Sequence, residues 1–269
     1  LTSHIDYADW KKAYAPILKT FSTKNIFVLY SGGKDSSAML HLLDRAAREF
    51  GFAFQAHIGV FPQHRYPKPE RERLQTYWQA RDVGLTWHAV TATDAALRLE
   101  KNPCHKCQRI RKNLLQNSLF KMVPQWDNVV LVISYSLWDL VSYALEHIAG
   151  DRLAVTQTDQ GVTQRFLETA QRFYPLLEMK EGYQVFRPLI RYNEPDIESL
   201  VAAENLPTLA IACTYKDCRP KRMLGRYYAA AGLRFDYDRV MTFARKALDL
   251  PDASAFTALS KQDYLGRFF

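Results

Sequence analysis

At 269 residues, with 48% hydrophobic and 24% charged residues, the chain is long enough to bury a full core and has an ordinary globular composition. No apolar run approaches the roughly 20 residues that a membrane-spanning helix needs. The first residues mix Asp6, Asp9 and scattered lysines and do not read as a secretion signal. A cytoplasmic protein with no membrane partner is therefore expected.

In chain order, apolar residues at helical spacing (Tyr7, Trp10, Tyr14, Ile17, Leu18) predict an N-terminal helix over 7–21. Asn25 to Tyr30 predicts a short buried strand that runs into Ser31-Gly32-Gly33, and a helical pattern follows from Ser36 to Phe50. Ala53 to Phe61 predicts a second strand stopped by Pro62, Glu70 to Arg81 a helix, and Leu85 to Val90 a third strand. Asn128 to Ser134 is the clearest buried strand, with a helix from Trp138 to Ile148 behind it and a fifth strand at Tyr183 to Phe186. From about Pro195 onward the pattern is mainly helical. Strands alternating with helices predict an α/β fold, a Rossmann-like sheet of about five parallel strands with helices on both faces. The expected division is an N-terminal helix over 1–24, a nucleotide domain over 25–190 and a mainly helical C-terminal extension over 191–269.

The net charge of +8 is unevenly spread. Lys101 to Lys121 holds six Lys or Arg and no acid, and Thr214 to Arg234 holds six against one acid, Asp217. The rest of the chain is slightly acidic. Clustered cations suit a phosphate-rich partner, because neutralising phosphates releases condensed counterions. A solvated charged face is the plain alternative.

The chemistry centres on Ser31-Gly32-Gly33-Lys34-Asp35-Ser36-Ser37, between the first strand and its helix. Two glycines allow successive N–H groups to face one anion, and the helix N-terminus adds partial positive charge. Lys34 adds a full charge, and Ser31, Ser36 and Ser37 offer hydroxyls. The run is neither a Walker A loop nor a dinucleotide fingerprint. It resembles the Ser-Gly-Gly-x-Asp-Ser signature of PP-loop ATP pyrophosphatases. That resemblance implies that the loop holds the pyrophosphate portion of ATP with Mg2+, with Lys34 and Asp35 assisting, while an acceptor oxygen attacks the α phosphate. Growing charge on the leaving pyrophosphate is what such a loop stabilises.

Cys104 and Cys107 form a Cys-x-x-Cys pair, and Cys213 and Cys218 follow later. In a cytosolic chain such pairs suggest metal or redox chemistry, and Lys106, Arg109, Arg111, Lys216 and Arg219 supply cations that lower thiol pKa. A redox pair and a four-cysteine zinc site are both open on the residues alone. The run from Pro103 to Arg111 also resembles the central Cys-x-x-Cys of the tRNA thiolases that form 2-thiocytidine. Phe186-Arg187-Pro188-Leu189, then Glu194 and Asp196-Ile197, then Pro207 and Cys213, resemble their later elements. The resemblance spans about residues 25–226. It implies a [4Fe–4S] cluster on Cys104, Cys107 and Cys213 with one iron open to sulfur, tRNA as partner through 101–121 and 214–234, and a separate sulfur donor. A dimer is compatible with it. The implied reaction is adenylation of a nucleobase carbonyl oxygen and its replacement by sulfur. Two departures stand out: the second pair is Cys213-x-x-x-x-Cys218, and Ser134-Tyr135-Ser136-Leu137-Trp138-Asp139 replaces a Gly-His-His-x-Asp-Asp type run. Asp139 remains a candidate magnesium or substrate acid.

Other residues have two readings. His57 falls where the family's adenine-binding edge would lie, or is a satisfied core histidine. His64 and Arg65 reach a phosphate or sit in an exposed loop. Tyr227 and Tyr228, beside Arg222 and Arg226, stack on bases or pack in the core. An ATP enzyme acting on a small acceptor and a non-catalytic nucleotide- or RNA-binding module are the rival functions.

Overall fold

The computed structural model describes residues 5–152, 166–218 and 220–268, without the side chains of residues 150–152, 218, 220, 267 and 268. Helix α1 (Tyr7–Leu18) starts where the Asp6 carboxylate accepts hydrogen bonds from the N–H groups of Ala8 and Asp9. Its Tyr7, Trp10, Tyr14 and Leu18 recur every three or four residues, so one face is buried. Trp10 Nε1 donates to the Pro188 carbonyl at 3.0 Å, and the Tyr14 ring meets Phe186 edge-on.

Six strands form one sheet: β1 (Asn25–Leu29), β2 (Phe54–Val60), β3 (Leu85–Ala89), β4 (Val129–Val132), β5 (Leu176–Glu178) and β6 (Gln184–Phe186). Their spatial order is β3-β2-β1-β4-β6-β5; all neighbours pair parallel except β5, which runs antiparallel on β6 at the edge. The α/β expectation of a mostly parallel sheet with helices on both faces holds, with the three-residue β5 added to the five expected strands.

The period of two along each strand sorts the core into two halves. Ile26, Val28, Ala56, Ile58, Val130 and Val132 face α1, α2 (Lys34–Phe50), α3 (Lys68–Gln79) and, from the C-terminal part, α7 (Glu194–Ala203). Phe27, Val129, Leu131 and Val185 face α5 (Pro103–Met122), α6 (Leu137–Arg152) and α9 (Tyr237–Ala247). Two further helices are α4 (Ala95–Arg98), a single turn, and α8 (Pro220–Ala230), which lies against α6. No helix among the described residues is long and apolar enough to cross a membrane.

This topology positions the site. The chain leaves β1 for α2 on one face and leaves β4 for α6 on the other, although β1 and β4 are neighbours. Their carboxyl ends therefore diverge and open a crevice, the place where open sheets bind ligands. The glycine turn lies at the end of β1 and Ser134–Asp139 at the end of β4.

Trp10 is fully buried, so Trp10→Ala is expected to destabilise the whole sheet by about 3–5 kcal/mol. Urea denaturation followed by far-UV circular dichroism checks this. A single shifted transition is the expected form.

Candidate active site

At the turn, Gly32 takes φ of 69°, a region that disfavours side chains, and Gly33 caps α2. A Cβ on Gly32 would stand 2.8 Å from Leu209 Cγ, so the glycine is required twice over: for its backbone angle and for the close approach of Leu209. The turn is held from several sides. Tyr66 Oη donates to the Ser31 carbonyl at 3.0 Å, Ser36 Oγ donates to the Gly33 carbonyl at 2.9 Å, and the Ser31 and Ser36 hydroxyls lie 3.1 Å apart. Ser37 is buried and its hydroxyl donates to the Pro207 carbonyl at 2.7 Å. Of the three serines, Ser36 and Ser37 thus fasten the turn, while Ser31 is half-buried at its rim. The first N–H groups of α2 lack intrahelical acceptors, as at any helix start.

Charges of both signs meet beside the turn. Lys34 Nζ lies 3.1 Å from Asp35 and forms a second ion pair with Glu194, the first residue of α7. Burial pushes the Lys34 ammonium down, but Asp35 and Glu194 more than offset it and hold its pKa above the usual lysine value. Across the crevice, Ser136 and Asp139 cap α6 reciprocally: the Ser136 N–H donates to Asp139 Oδ2 and the Asp139 N–H to Ser136 Oγ, each at 3.2 Å. The other Asp139 oxygen pairs with Lys221 from α8. Burial pushes Lys221 down as well; Asp139, Tyr143 and Asp35 push it further up, so it stays charged. Glu194 and Lys221 are the two site residues that sequence reasoning did not place. Glu194 carried a signal, its position in the Glu-x-Asp-Ile run; Lys221 carried none beyond its basic segment.

A strap of irregular chain ties this turn to the cysteines. Leu209 N–H donates to the Gly32 carbonyl at 2.7 Å, and Arg73 donates to the Thr208 carbonyl at 2.6 Å. Ala210 N–H donates to Glu70 at 3.0 Å, Arg65 Nε to the Ile211 carbonyl at 3.2 Å, and Thr214 N–H to His64 Nε2 at 3.3 Å. His64 is itself oriented by Asp94, 2.7 Å from its Nδ1. His64 and Arg65 therefore brace the strap. The strap delivers Cys213 to the first turn of α5, where Cys104 and Cys107 sit at i, i+3 behind the Asn102 cap and Pro103. All three cysteines line one cavity together with Arg65, Arg111, Lys216 and Arg222, and Cys104 Sγ donates to the Tyr215 carbonyl at 3.2 Å. The Cys218 side chain and all of Arg219 lie outside the described residues.

This donor set fits an iron–sulfur cluster: three thiols on one cation-rich cavity. Among the described residues no group of three or more His, Cys, Asp or Glu stands close enough to hold a single metal ion. A cubane cluster spreads its thiolates more widely than a single ion does.

His57 is buried in mid-β2, its Nδ1 3.0 Å from His88 Nε2 and its ring tilted against Phe27. It lies on the face covered by α5, since a Cβ on Gly59 two residues on would touch Leu114 and Leu115. Tyr228 is buried against Trp138 and Phe235, and Tyr227 beside it is exposed.

The glycine turn at the end of β1, with a helix behind it, carries the Ser31-Gly32-Gly33-Lys34-Asp35-Ser36 run, which resembles the signature of PP-loop ATP pyrophosphatases. No family model matches the chain. It is 24% identical, over 208 residues covering 74% of this chain and 71% of that one, to a tRNA-cytidine(32) 2-sulfurtransferase of Syntrophotalea carbinolica. Its fold is similar to the U34-tRNA thiolase NcsA of Methanococcus maripaludis, solved with its [4Fe–4S] cluster, at a TM-score of 0.62 and 15% identity, covering 91% of this chain and 81% of that one.

Two outcomes follow from this geometry. Gly32→Ala is expected to cost about 1–2 kcal/mol from the left-handed backbone alone and to displace Leu209; the thermal midpoint together with Mg–ATP affinity reads both. Burial, with His88 adding, pushes the His57 pKa down to about 4. The unfolded chain takes up this proton near pH 6.5 and the native state does not, so native stability falls as pH drops from about 6.5 toward 4. The urea midpoint of the wild type is expected to fall more between pH 7 and pH 5 than that of His57→Phe.

Proposed function

We propose that the protein is an ATP-dependent sulfurtransferase acting on tRNA, releasing AMP and pyrophosphate. The observation that carries this reading is the strap: one segment is bonded to the Gly32 carbonyl at one end and brings Cys213 beside Cys104 and Cys107 at the other. Similarity to a tRNA-cytidine 2-sulfurtransferase supports the substrate class. In this reading residues 25–190 carry the ATP chemistry, and residues 191–269 contribute Glu194, Cys213 and Lys221 to it.

Pyrophosphate of ATP would rest on the N–H groups at the start of α2. Lys34, released from Glu194 as phosphate takes its place, would neutralise charge that grows on the leaving pyrophosphate. A carbonyl oxygen of the acceptor base attacks the α phosphorus, the bond to the bridging oxygen breaks and pyrophosphate departs. A sulfur nucleophile then adds at the base carbon, and the carbon–oxygen bond breaks with loss of AMP. Asp35 and Asp139, on opposite sides of the crevice, are the acids that would hold Mg2+. Cys104, Cys107 and Cys213 would hold a [4Fe–4S] cluster, which supplies a coordination site for sulfur. Arg65, Arg111 and Arg222 make that cavity cationic, which suits an incoming sulfur anion. The basic segments 101–121 and 214–234 flank the cavity and suit an RNA backbone.

Pyrophosphate release from Mg–ATP by anaerobically purified protein, with and without unmodified tRNA, tests this. Stimulation by tRNA is expected, with Lys34→Ala slowing release by about 100-fold or more. Release indifferent to tRNA points instead to a small-molecule acceptor.

A further inference from the structure

Around the start of α6 stands a cluster of residues that the ATP chemistry leaves unused. Tyr135 follows β4 directly, and its ring stands edge-on to Tyr143 of α6, with centroids 5.9 Å apart and planes at 89°. On Tyr143 lies the Arg172 guanidinium, its Cζ 4.1 Å from the ring centroid. All three side chains are only half-buried. Arg172 Nε is nonetheless buried and has no hydrogen-bond partner among the described residues. A buried donor without an acceptor is costly. Tyr143 stands four residues beyond Asp139 on α6, about one turn, so the two side chains share a helix face.

The chemistry selects one class of ligand. Two perpendicular phenol rings offer a face and an edge to a flat heterocycle, and base stacking on an aromatic ring is worth about 1–3 kcal/mol. A guanidinium only donates, so it selects a carbonyl-bearing edge. Adenine lacks a carbonyl. Guanine, cytosine and uracil have one, and only the two pyrimidines carry it at C2, the position modified by the similar tRNA-cytidine 2-sulfurtransferase. Exposed Tyr227 is less suitable, since no cation lies over its ring among the described residues.

We propose that Tyr135, Tyr143 and Arg172 form the seat of the acceptor base, a pyrimidine from a single-stranded RNA loop. It lies against the tyrosines with its C2 carbonyl turned to Arg172. This rests on the reading of the chain as an RNA-acting ATP enzyme and adds which residues read the base. Tyr135 occupies the segment where the thiolase pattern would place histidines, so the seat belongs to this chain's own departure from that pattern.

Photo-crosslinking tests the seat. The full chain is mixed with Mg2+, a non-hydrolysable ATP analogue and a hairpin RNA carrying 5-iodouridine at one loop position, then irradiated, and the adducts are mapped by mass spectrometry. Adducts on Tyr135 or Tyr143 are expected. Arg172→Met is expected to cut their yield by about tenfold, the equivalent of one stacking or charged contact, while hairpin affinity, set by backbone contacts, changes little. Mg–ATP binding by the variant monitors its folding, and mapping on the wild type stands without it. A hairpin that binds but links to Tyr215, Tyr227 or no tyrosine overturns the seat alone. A hairpin that does not bind overturns the RNA reading and the seat together.

Discussion

The close approach of Leu209 to Gly32 is the constraint on which the site depends. Gly32 alone has room for it, the Leu209 N–H takes up the Gly32 carbonyl, and Ser37 reaches the preceding Pro207 carbonyl. The left-handed backbone at Gly32 is braced by a segment that Ser37 meets 170 residues further along the chain. The same segment carries Cys213. Backbone geometry that suits a phosphate and the placement of a third thiol are consequences of one contact. His64, Arg65, Glu70 and Arg73 act as its fastenings, which explains why a loop of no regular structure holds its position.

Charge organises the opposite wall. Lys34 is shared by Asp35 and Glu194, and Asp139 is shared by the cap of α6 and Lys221. Lys34, Asp35, Glu194, Asp139 and Lys221 therefore each have a partner before any ligand arrives. A phosphate that takes Lys34 must displace Glu194, and a divalent cation that takes Asp139 must displace Lys221. Glu194 begins α7 and Lys221 lies in the first turn of α8, so both displacements act on the helices that flank the strap.

Much of this was legible in the sequence, and the reasons differ by element. The strands β1, β2 and β4 and helix α2 are strongly patterned, so their ends show in the sequence to within one or two residues. Helix α5 was not read as a helix, because its buried positions Leu115 and Leu119 sit among lysines and arginines that dominate the pattern. Strand β5 has three residues, too few for a period of two to show. In the site, the glycine turn and the grouping of three cysteines followed from short motifs. The ion pairs of Lys34 with Glu194 and Asp139 with Lys221 join residues far apart in sequence, and nothing local announces them. The Ser37 hydroxyl is legible in the sequence, but its burial against Pro207 depends on the strap, which only the folded chain shows.

The central claim is that the ATP turn and the three thiols act on one base. Its most direct test is transfer of radiolabelled sulfide into unmodified tRNA by the anaerobically reconstituted protein, followed by digestion and nucleoside analysis. The account predicts a single labelled pyrimidine, formed only with ATP and lost in both Lys34→Ala and Cys213→Ser. Label that enters RNA without ATP, or that persists in Cys213→Ser, would contradict it.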